Sequence, residues 1–421
     1  MTELLLTLNA GSSSIKFAVF SLADGRLGPL ASGQVEGLGA TTTFSVRSTA
    51  GQKREFVVKP DGGSVDHTAA VGAILEWIEE AHGDEAVVAV GHRVVHGGIH
   101  CLEPVVVDEG ILETLRTLVP LAPLHQPHNI SGIRAAMQAF PGAVQVACFD
   151  TAFHRSHPFV ADAFALPRHL YEEGIRRYGF HGLSYEFIAR RLRTVAPTLS
   201  TGRVIVAHLG NGASMCAMRD GRSFASTMGF TALDGLPMGT RCGQLDPGVV
   251  LYLMSEKGMD AQAISDLLYK ESGLKGLSGL SHDMRILEGS DSPAAQEAIA
   301  YFVARIRREI GGLAAAIGGL DALVFTGGIG ENSTRIREEV LTGMGWLGIV
   351  PDPAANSAGH QVISTADSGV AIFVLKTDEE RMIAEHTAAA AELAGSPAGR
   401  LQPPVQSVQH DARPRVASNL A

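Results

Sequence analysis

Cysteine is scarce in this chain. Cys101, Cys148, Cys216 and Cys242 are spread over 421 residues and form no CxxC pair. This excludes a disulfide framework and a thiolate zinc site, and it fits a reducing compartment, the cytoplasm. Long apolar runs are also missing: nothing approaches the ~18 residues of a membrane-spanning helix, so no membrane partner is expected. The opening MTELLLTLNAGSSS carries no basic segment before its short apolar run and reads as a first strand, not a signal peptide. Basic residues are outnumbered, 34 Lys and Arg against 44 Asp and Glu, for a net charge of −10. That argues against nucleic acid as a partner, and it requires a local cationic pocket for any anionic substrate. The familiar signatures GxxxxGK[ST] and GxSxG are absent, and GGIGENS lacks the third glycine of a dinucleotide fingerprint.

What is present is an α/β pattern on a chain long enough for two domains. LLLTLNA and IKFAVFSL flank a Gly/Ser turn as a hairpin, and TTTFSV and REFVVK follow as short strands closed by PDGG. Asp66 and Asp108 are expected helix N-caps. AVVAVGHRVV, AVQVACFD, RVIVAHL and ALVFT read as buried strands. Apolar residues at 299, 302, 303, 306, 310, 313 and 317 keep helical spacing, and another helix is expected from about Ser333. The expected boundaries are 1–150 for an N-terminal domain and 151–380 for a nucleotide-binding domain. A helix over 381–395 would return to the first domain, and a Pro-rich, polar tail would occupy 396–421.

Residues 4–26 and 204–222 share one layout: apolar strand, Asn/Gly/Ser turn, second strand, then DGR. Read as a duplication, this gives two related domains presenting paired Gly-rich hairpins to one cleft. NAGSSS, HLGNGAS and TGGIGENS can each bring backbone amides close to a phosphate, although any one alone is as readily a plain strand connection.

Isolated polar residues supply the rest of a site. Arg93 lies among valines in VGHRVVHGG, where a guanidinium needs either a carboxylate partner or an anionic ligand. His92, His96 and His100 are spaced by four, but on strand and turn, which speaks against zinc. His125 lies in the Pro-bracketed PLAPLHQPHN, Asp150 ends a strand in CFDTAFH, His181 sits in RRYGFHG and Arg241 in PMGTRCGQLDPG. Two guanidinium groups, two imidazoles and a carboxylate suit stabilisation of a transferring phosphoryl group.

These motifs, with LNAGSSSIKF and TDEERMIA, resemble the acetokinase family of the sugar kinase–Hsp70–actin superfamily from about residue 3 to 390. The resemblance implies two duplicated ribonuclease H-like (actin/sugar kinase-type) domains around an active-site cleft, in a cytoplasmic homodimer. It implies the reaction acetate + ATP ⇌ acetyl phosphate + ADP with Mg²⁺, for which Mn²⁺ can substitute. Matched residue by residue, Asp150, His181, Arg241, Arg93 and His125 would be catalytic. Arg93, Val95, Leu124, Phe180 and Ala232 would contact the acyl substrate. Nucleotide contacts would come from Lys16, from His208, Leu209, Gly210, Asn211 and Gly212, from Asp283, Met284 and Arg285, and from Gly328, Ile329, Gly330, Glu331 and Asn332. Asn9 and Glu379 match the metal-linked positions.

Several residues depart from the family pattern. Leu183 and Tyr185 stand where Thr and His are common, Cys242 and Gln244 where Ser and Asp are, and Met284 where Phe is usual. Ala232 replaces a proline of the acyl pocket, which would admit a longer chain. A propionate or butyrate kinase of the same family is therefore an alternative reading. A nucleotide-binding regulator on the same scaffold is a more distant one, disfavoured by the intact catalytic set.

Overall fold

The computed structural model describes residues 3–391 apart from 24, 40, 60–63 and 84. The PDGG turn, Asp24 of the first DGR, the end of the 381–395 segment and the 396–421 tail lie outside the described residues.

Eight strands form the first sheet: β1 (Glu3–Ala10), β2 (Ser14–Ala23), β3 (Arg26–Glu36), β4 (Thr42–Ser48), β5 (Lys53–Val58), β6 (Val87–Val94), β7 (Val105–Val106) and β8 (Val144–Phe149), in the order β5-β4-β3-β2-β1-β6-β8-β7. The second holds β9 (Arg203–Leu209), β10 (Ala213–Arg219), β11 (Arg222–Ser226), β12 (Ala322–Thr326) and β13 (Ala371–Val374), in the order β11-β10-β9-β12-β13. The run β3-β2-β1-β6-β8 repeats as β11-β10-β9-β12-β13. In both sheets the first pair is antiparallel and the central strand then pairs parallel to the next. The loose sequence repeat is thus a repeat of topology. Continuous apolar runs such as Leu4–Leu6 and Val204–Ala207 are buried because helices cover both faces of the parallel segments.

Asp66 and Asp108 cap their helices as expected, accepting from Ala69 N and Ile111 N at 2.9 and 2.8 Å. The helix Pro293–Ile317 buries all seven of its predicted apolar positions. β3 and β11 were not anticipated: RLGPLASGQVE is broken by Gly and Pro, and RSFAS is too short to show an alternation.

Two helices exchange sheets. Gly182–Val195 follows the first sheet but packs Tyr185, Ile188 and Leu192 against Val204, Val206 and Val324 of the second. Glu379–Ala390 follows the second sheet and packs Ala384 and Ala388 against Leu5, Phe20 and Ala89 of the first. It starts two residues before the expected 381. Its close approach needs Gly91, where a Cβ would run into Thr387 Oγ1 and lie 2.6 Å from Ile383 Cγ2. Where the helices cross, Arg190 pairs with Glu186 and Glu385 at 2.6 and 2.9 Å. The site residues gather at the carboxyl ends of the parallel strands, the usual ligand edge of such sheets.

Candidate active site

Arg93, one residue before the end of β6, organises the first half of the site. Its Nε and Nη2 donate to Asp150 Oδ1 and Oδ2 at 3.0 and 2.5 Å, and Nη1 donates to Asn9 Oδ1 at 3.2 Å. Glu379 Oε2 lies 3.6 Å from Arg93 Nε. Burial alone would weaken the guanidinium's hold on its proton, but Asp150 and then Glu379 outweigh it and raise the Arg93 pKa. Burial raises the Asp150 carboxyl, Glu379 adds to the rise, and Arg93 opposes it. We assign the pair as ionised, because both carboxylate oxygens accept from the guanidinium.

The second half comes from the other sheet and its loops. A cavity of about 30 Å³ is walled by Arg93, Val95, His125, Asp150, Phe180, His181, Ala232 and Arg241. Arg241 Nη1 donates to Ala232 O at 2.9 Å, so the backbone of the cavity wall also fixes the second arginine. His181 caps the helix Gly182–Val195 at φ +58°, a left-handed conformation that costs a non-glycine residue on the order of 1–3 kcal/mol. Its Nδ1 shares a hydrogen bond with Ser214 Oγ at 2.8 Å, and its ring stacks on His208 with centroids 4.3 Å apart. Burial keeps these imidazoles neutral: His208 is lowered to about 4 and His125 to about 3, and His181 falls well below its ordinary value.

Buried polar links, missed from sequence, hold these parts in place. Asn129 accepts from Val95 N at 3.0 Å and donates to Ala10 O at 2.8 Å, tying β6 to β1. Arg337 is 1% exposed and donates to Gly330 O, Glu331 O and Asn356 Oδ1 at 2.9, 3.0 and 2.7 Å. It thereby braces the short helix Gly327–Asn332. The sequence TRIREEVL gives no signal that separates Arg337 from Arg335.

The structure brings most of the expected site residues together and sets others apart. Val95, Phe180 and Ala232 line the cavity, whereas Leu124 is half-buried and not on its wall. Gly212 abuts the site, since a Cβ there would lie 3.3 Å from His181 Nε2 and 3.8 Å from Arg241 Nη2. Gly210 approaches Gly328, joining the hairpin of His208, Leu209 and Asn211 to the GGIGEN turn. Gly327 permits this junction: its φ is +77°, and a Cβ would meet the Leu209 backbone. Lys16 is exposed and faces Asn9 across the β1–β2 ladder. Gly328 is open and Ile329 half-buried, and Asn332 Nδ2 donates to Gly328 O at 2.8 Å.

Two of the expected nucleotide residues turn their side chains inward. Met284 is 3% exposed and its side chain packs in the core. Glu331 Oε1 turns inward, accepting from Thr326 Oγ1, Gly327 N and Thr377 N at 3.3, 3.0 and 3.2 Å. Asp283 and Arg285 grip each other at 3.0 and 2.6 Å on the surface. His92 pairs with Gln145 at 2.8 Å, and His96 Nδ1 accepts from Gly98 N at 2.9 Å.

Duplicated α/β domains, a small cavity carrying two arginines and Gly-rich turns at the strand ends define a kinase of the actin/sugar kinase-like fold. The acetokinase family matches residues 4–385. The acetate kinase of Methylocella silvestris is 61% identical over 396 residues, covering 92% of this chain and 98% of that protein. The Rhizobium meliloti acetate kinase is 54% identical over 389 residues, with the same coverage. Among solved structures, the Porphyromonas gingivalis acetate kinase superposes with a TM-score of 0.83 at 38% identity, covering 92% of this chain and all of that one. A Francisella tularensis propionate kinase gives 0.85 at 36% identity, covering 92% and 99%. This chain belongs to the acetokinase family.

Proposed function

We propose that the chain transfers the γ-phosphoryl group of ATP reversibly to acetate, giving acetyl phosphate and ADP. One observation carries this reading. Arg93, fixed by Asp150 and Asn9, shares a small cavity with Arg241, His181 and the apolar wall of Val95, Phe180 and Ala232. A short carboxylate fits there with its oxygens on Arg93 and its methyl group on the wall.

Acetate is ionised near neutral pH, so its oxygen attacks the γ-phosphorus without a general base. The new O–P bond forms as the bond to the β-phosphate oxygen breaks, and ADP leaves. The obstacle is repulsion between anions, which the guanidinium groups reduce. Arg241 and neutral His181 then face the charge that spreads over the transferring group. Removing one such donor typically costs about 10²–10³ in rate. Lys16, the His208–Gly212 hairpin and the backbone of the GGIGEN turn would hold the nucleotide.

Asn9 Oδ1 and the Glu379 carboxylate are hard oxygen donors on either side of Arg93, and they fit Mg²⁺. That ion is usually bound through one or two protein oxygens with water and phosphate supplying the rest. Bound there, it would neutralise phosphate charge.

A second copy of the chain is the proposed partner. The helix Pro247–Ser255 buries none of its residues, leaving Leu251, Tyr252 and Met254 more than half exposed. Such an apolar face suits an isologous dimer contact. Three of the four free cysteines are buried, which suits the reducing cytoplasm.

The test is hydroxamate trapping of the acyl phosphate with acetate, propionate and butyrate. Acetate is expected to give the highest kcat/KM; a higher value for propionate or butyrate would reassign the substrate, and no product from any would overturn the reading.

A further inference from the structure

The motif CFDTAFH supplies Asp150 to the site, and its last residue, His154, has no part in the proposed reaction. His154 is 0% exposed, and its Nε2 lies 2.9 Å from the carbonyl oxygen of Phe180. A carbonyl only accepts, so Nε2 carries the hydrogen. Burial lowers the His154 pKa to about 3, so the ring is neutral and Nδ1 is a bare acceptor. Ser223 Oγ, 2.8 Å from Nδ1, therefore directs its one hydrogen there. His157 Nε2, 2.7 Å from the same Oγ, must then donate to it. The order of hydrogens is fixed from one end by a group that cannot donate. Ser156 Oγ also donates to Ser223 O at 2.8 Å, so β11 holds this segment through both the side chain and the carbonyl of Ser223.

The other end of this chain of contacts reaches the site. Phe180 walls the small cavity, and His181 follows it at φ +58°. The turn lies directly on the His154 ring: Gly179 has φ +74°, and a Cβ there would lie 2.6 Å from His154 Cγ. Among the described residues, His154 is the hydrogen-bond partner of Phe180 O. We infer that His154 is a positioning residue for the turn that carries Phe180 and His181, tying it through Ser223 to β11 at the edge of the second sheet. His154 is not on the cavity wall, so it acts through the two residues that are.

The inference rests on the proposed reaction, in which Phe180 contacts the acyl group and His181 faces the transferring one. Its test uses two amides that divide the contacts of the imidazole. His154→Gln keeps a donor near the place of Nε2 for Phe180 O, whereas His154→Asn keeps an acceptor near the place of Nδ1 for Ser223 and does not reach Phe180 O. Both leave part of the ring's volume unfilled, so a merely structural role would give the two similar kinetic losses. His154→Asn should lower kcat by about 10- to 10²-fold, the scale of a misplacement of about 1 Å, with KM for acetate raised several-fold and KM for ATP within about twofold. His154→Gln should recover most of kcat. Crystal structures should show the Phe180 carbonyl displaced in His154→Asn and in place in His154→Gln. Ser223→Ala keeps the ring but removes its anchor, and should lower kcat at least about threefold even if His154→Asn does not fold. Equal kcat losses in the Asn and Gln variants, an undisplaced turn in His154→Asn, or wild-type kcat in Ser223→Ala would overturn the role of His154. A displaced turn with wild-type kinetics would instead overturn Phe180 and His181 as the groups that meet the substrates. No acyl phosphate from the wild type would overturn the reaction itself, and the crystal structures would still decide whether His154 holds the turn.

Discussion

Arg93 and Asp150 form a two-point ion pair in which each carboxylate oxygen accepts one guanidinium N–H, at 3.0 and 2.5 Å. Asp150 is 1% exposed, and protonating it would weaken the charge-assisted hold on the arginine. On the proposed reaction, the carboxylate would act as an orienter of Arg93 rather than as a base.

This has a kinetic consequence. Asp150→Asn keeps one acceptor oxygen for Arg93, and Asp150→Ala keeps none. The Asn variant is expected to retain roughly tenfold more kcat/KM for acetate than the Ala variant, about 1.4 kcal/mol of transition-state stabilisation. Equal losses in the two variants, measured at saturating ATP, would return the carboxylate to a proton-transfer role.

Ala232 tests the acyl pocket. Its carbonyl holds Arg241 at 2.9 Å, and a proline there keeps that carbonyl while adding ring atoms to the cavity wall. A methylene in such a pocket is worth about 1–3 kcal/mol. The propionate-to-acetate ratio of kcat/KM should be about tenfold higher in the wild type than in Ala232→Pro, with acetate turnover little changed. An identical ratio in the two proteins would remove Ala232 from the specificity argument.

Much of this arrangement was legible because local signals agreed with the tertiary answer. Buried strands announced themselves as continuous apolar runs, the N-caps Asp66 and Asp108 by position, and Arg93 by being a charge among valines. Met284 and Glu331 show what a short motif leaves out: it identifies a segment without saying which way its side chains turn. Met284 turns into the core and Glu331 onto three donors. Asn129 and Arg337 escaped because their partners are carbonyls and amides from remote strands and helices, which leave no periodic trace. The exchange of covering helices between the sheets was equally hidden, since an amphipathic helix records that it is covered but not by what.

Stability should fall on the acid side. Burial lowers His92 and His208 to about 4 and His96, His125 and His154 to about 3, against an ordinary 6.5. These groups are neutral when folded, so below 6.5 the unfolded chain binds more protons than the folded one. Their contribution is complete above 6.5 and declines as pH falls toward the folded values, at up to about 1.4 kcal/mol per pH unit per group. Thermal unfolding is expected to be level between about pH 7 and 8, and to move to steadily lower temperature from about pH 6.5 to 5. A Tm independent of pH down to 5 would show that these imidazoles are not buried as neutral groups.

Arg337 is expected to link stability to nucleotide binding. It meets four acceptors, on Gly330, Glu331 and Asn356, and among the described residues it has no carboxylate partner. Arg337→Met preserves much of the volume but leaves those oxygens without donors, at an expected cost of about 2–3 kcal/mol in unfolding free energy. The GGIGEN turn packs on the His208–Gly212 hairpin through Gly327 and Leu209, so loosening it should raise KM for ATP several-fold more than it lowers kcat at saturating ATP. Arg337→Lys, which restores charge without the planar fork, should recover only part of the loss. If the Met variant lost stability while its KM for ATP stayed at the wild-type value, the turn would be positioned by Glu331 and its three donors alone.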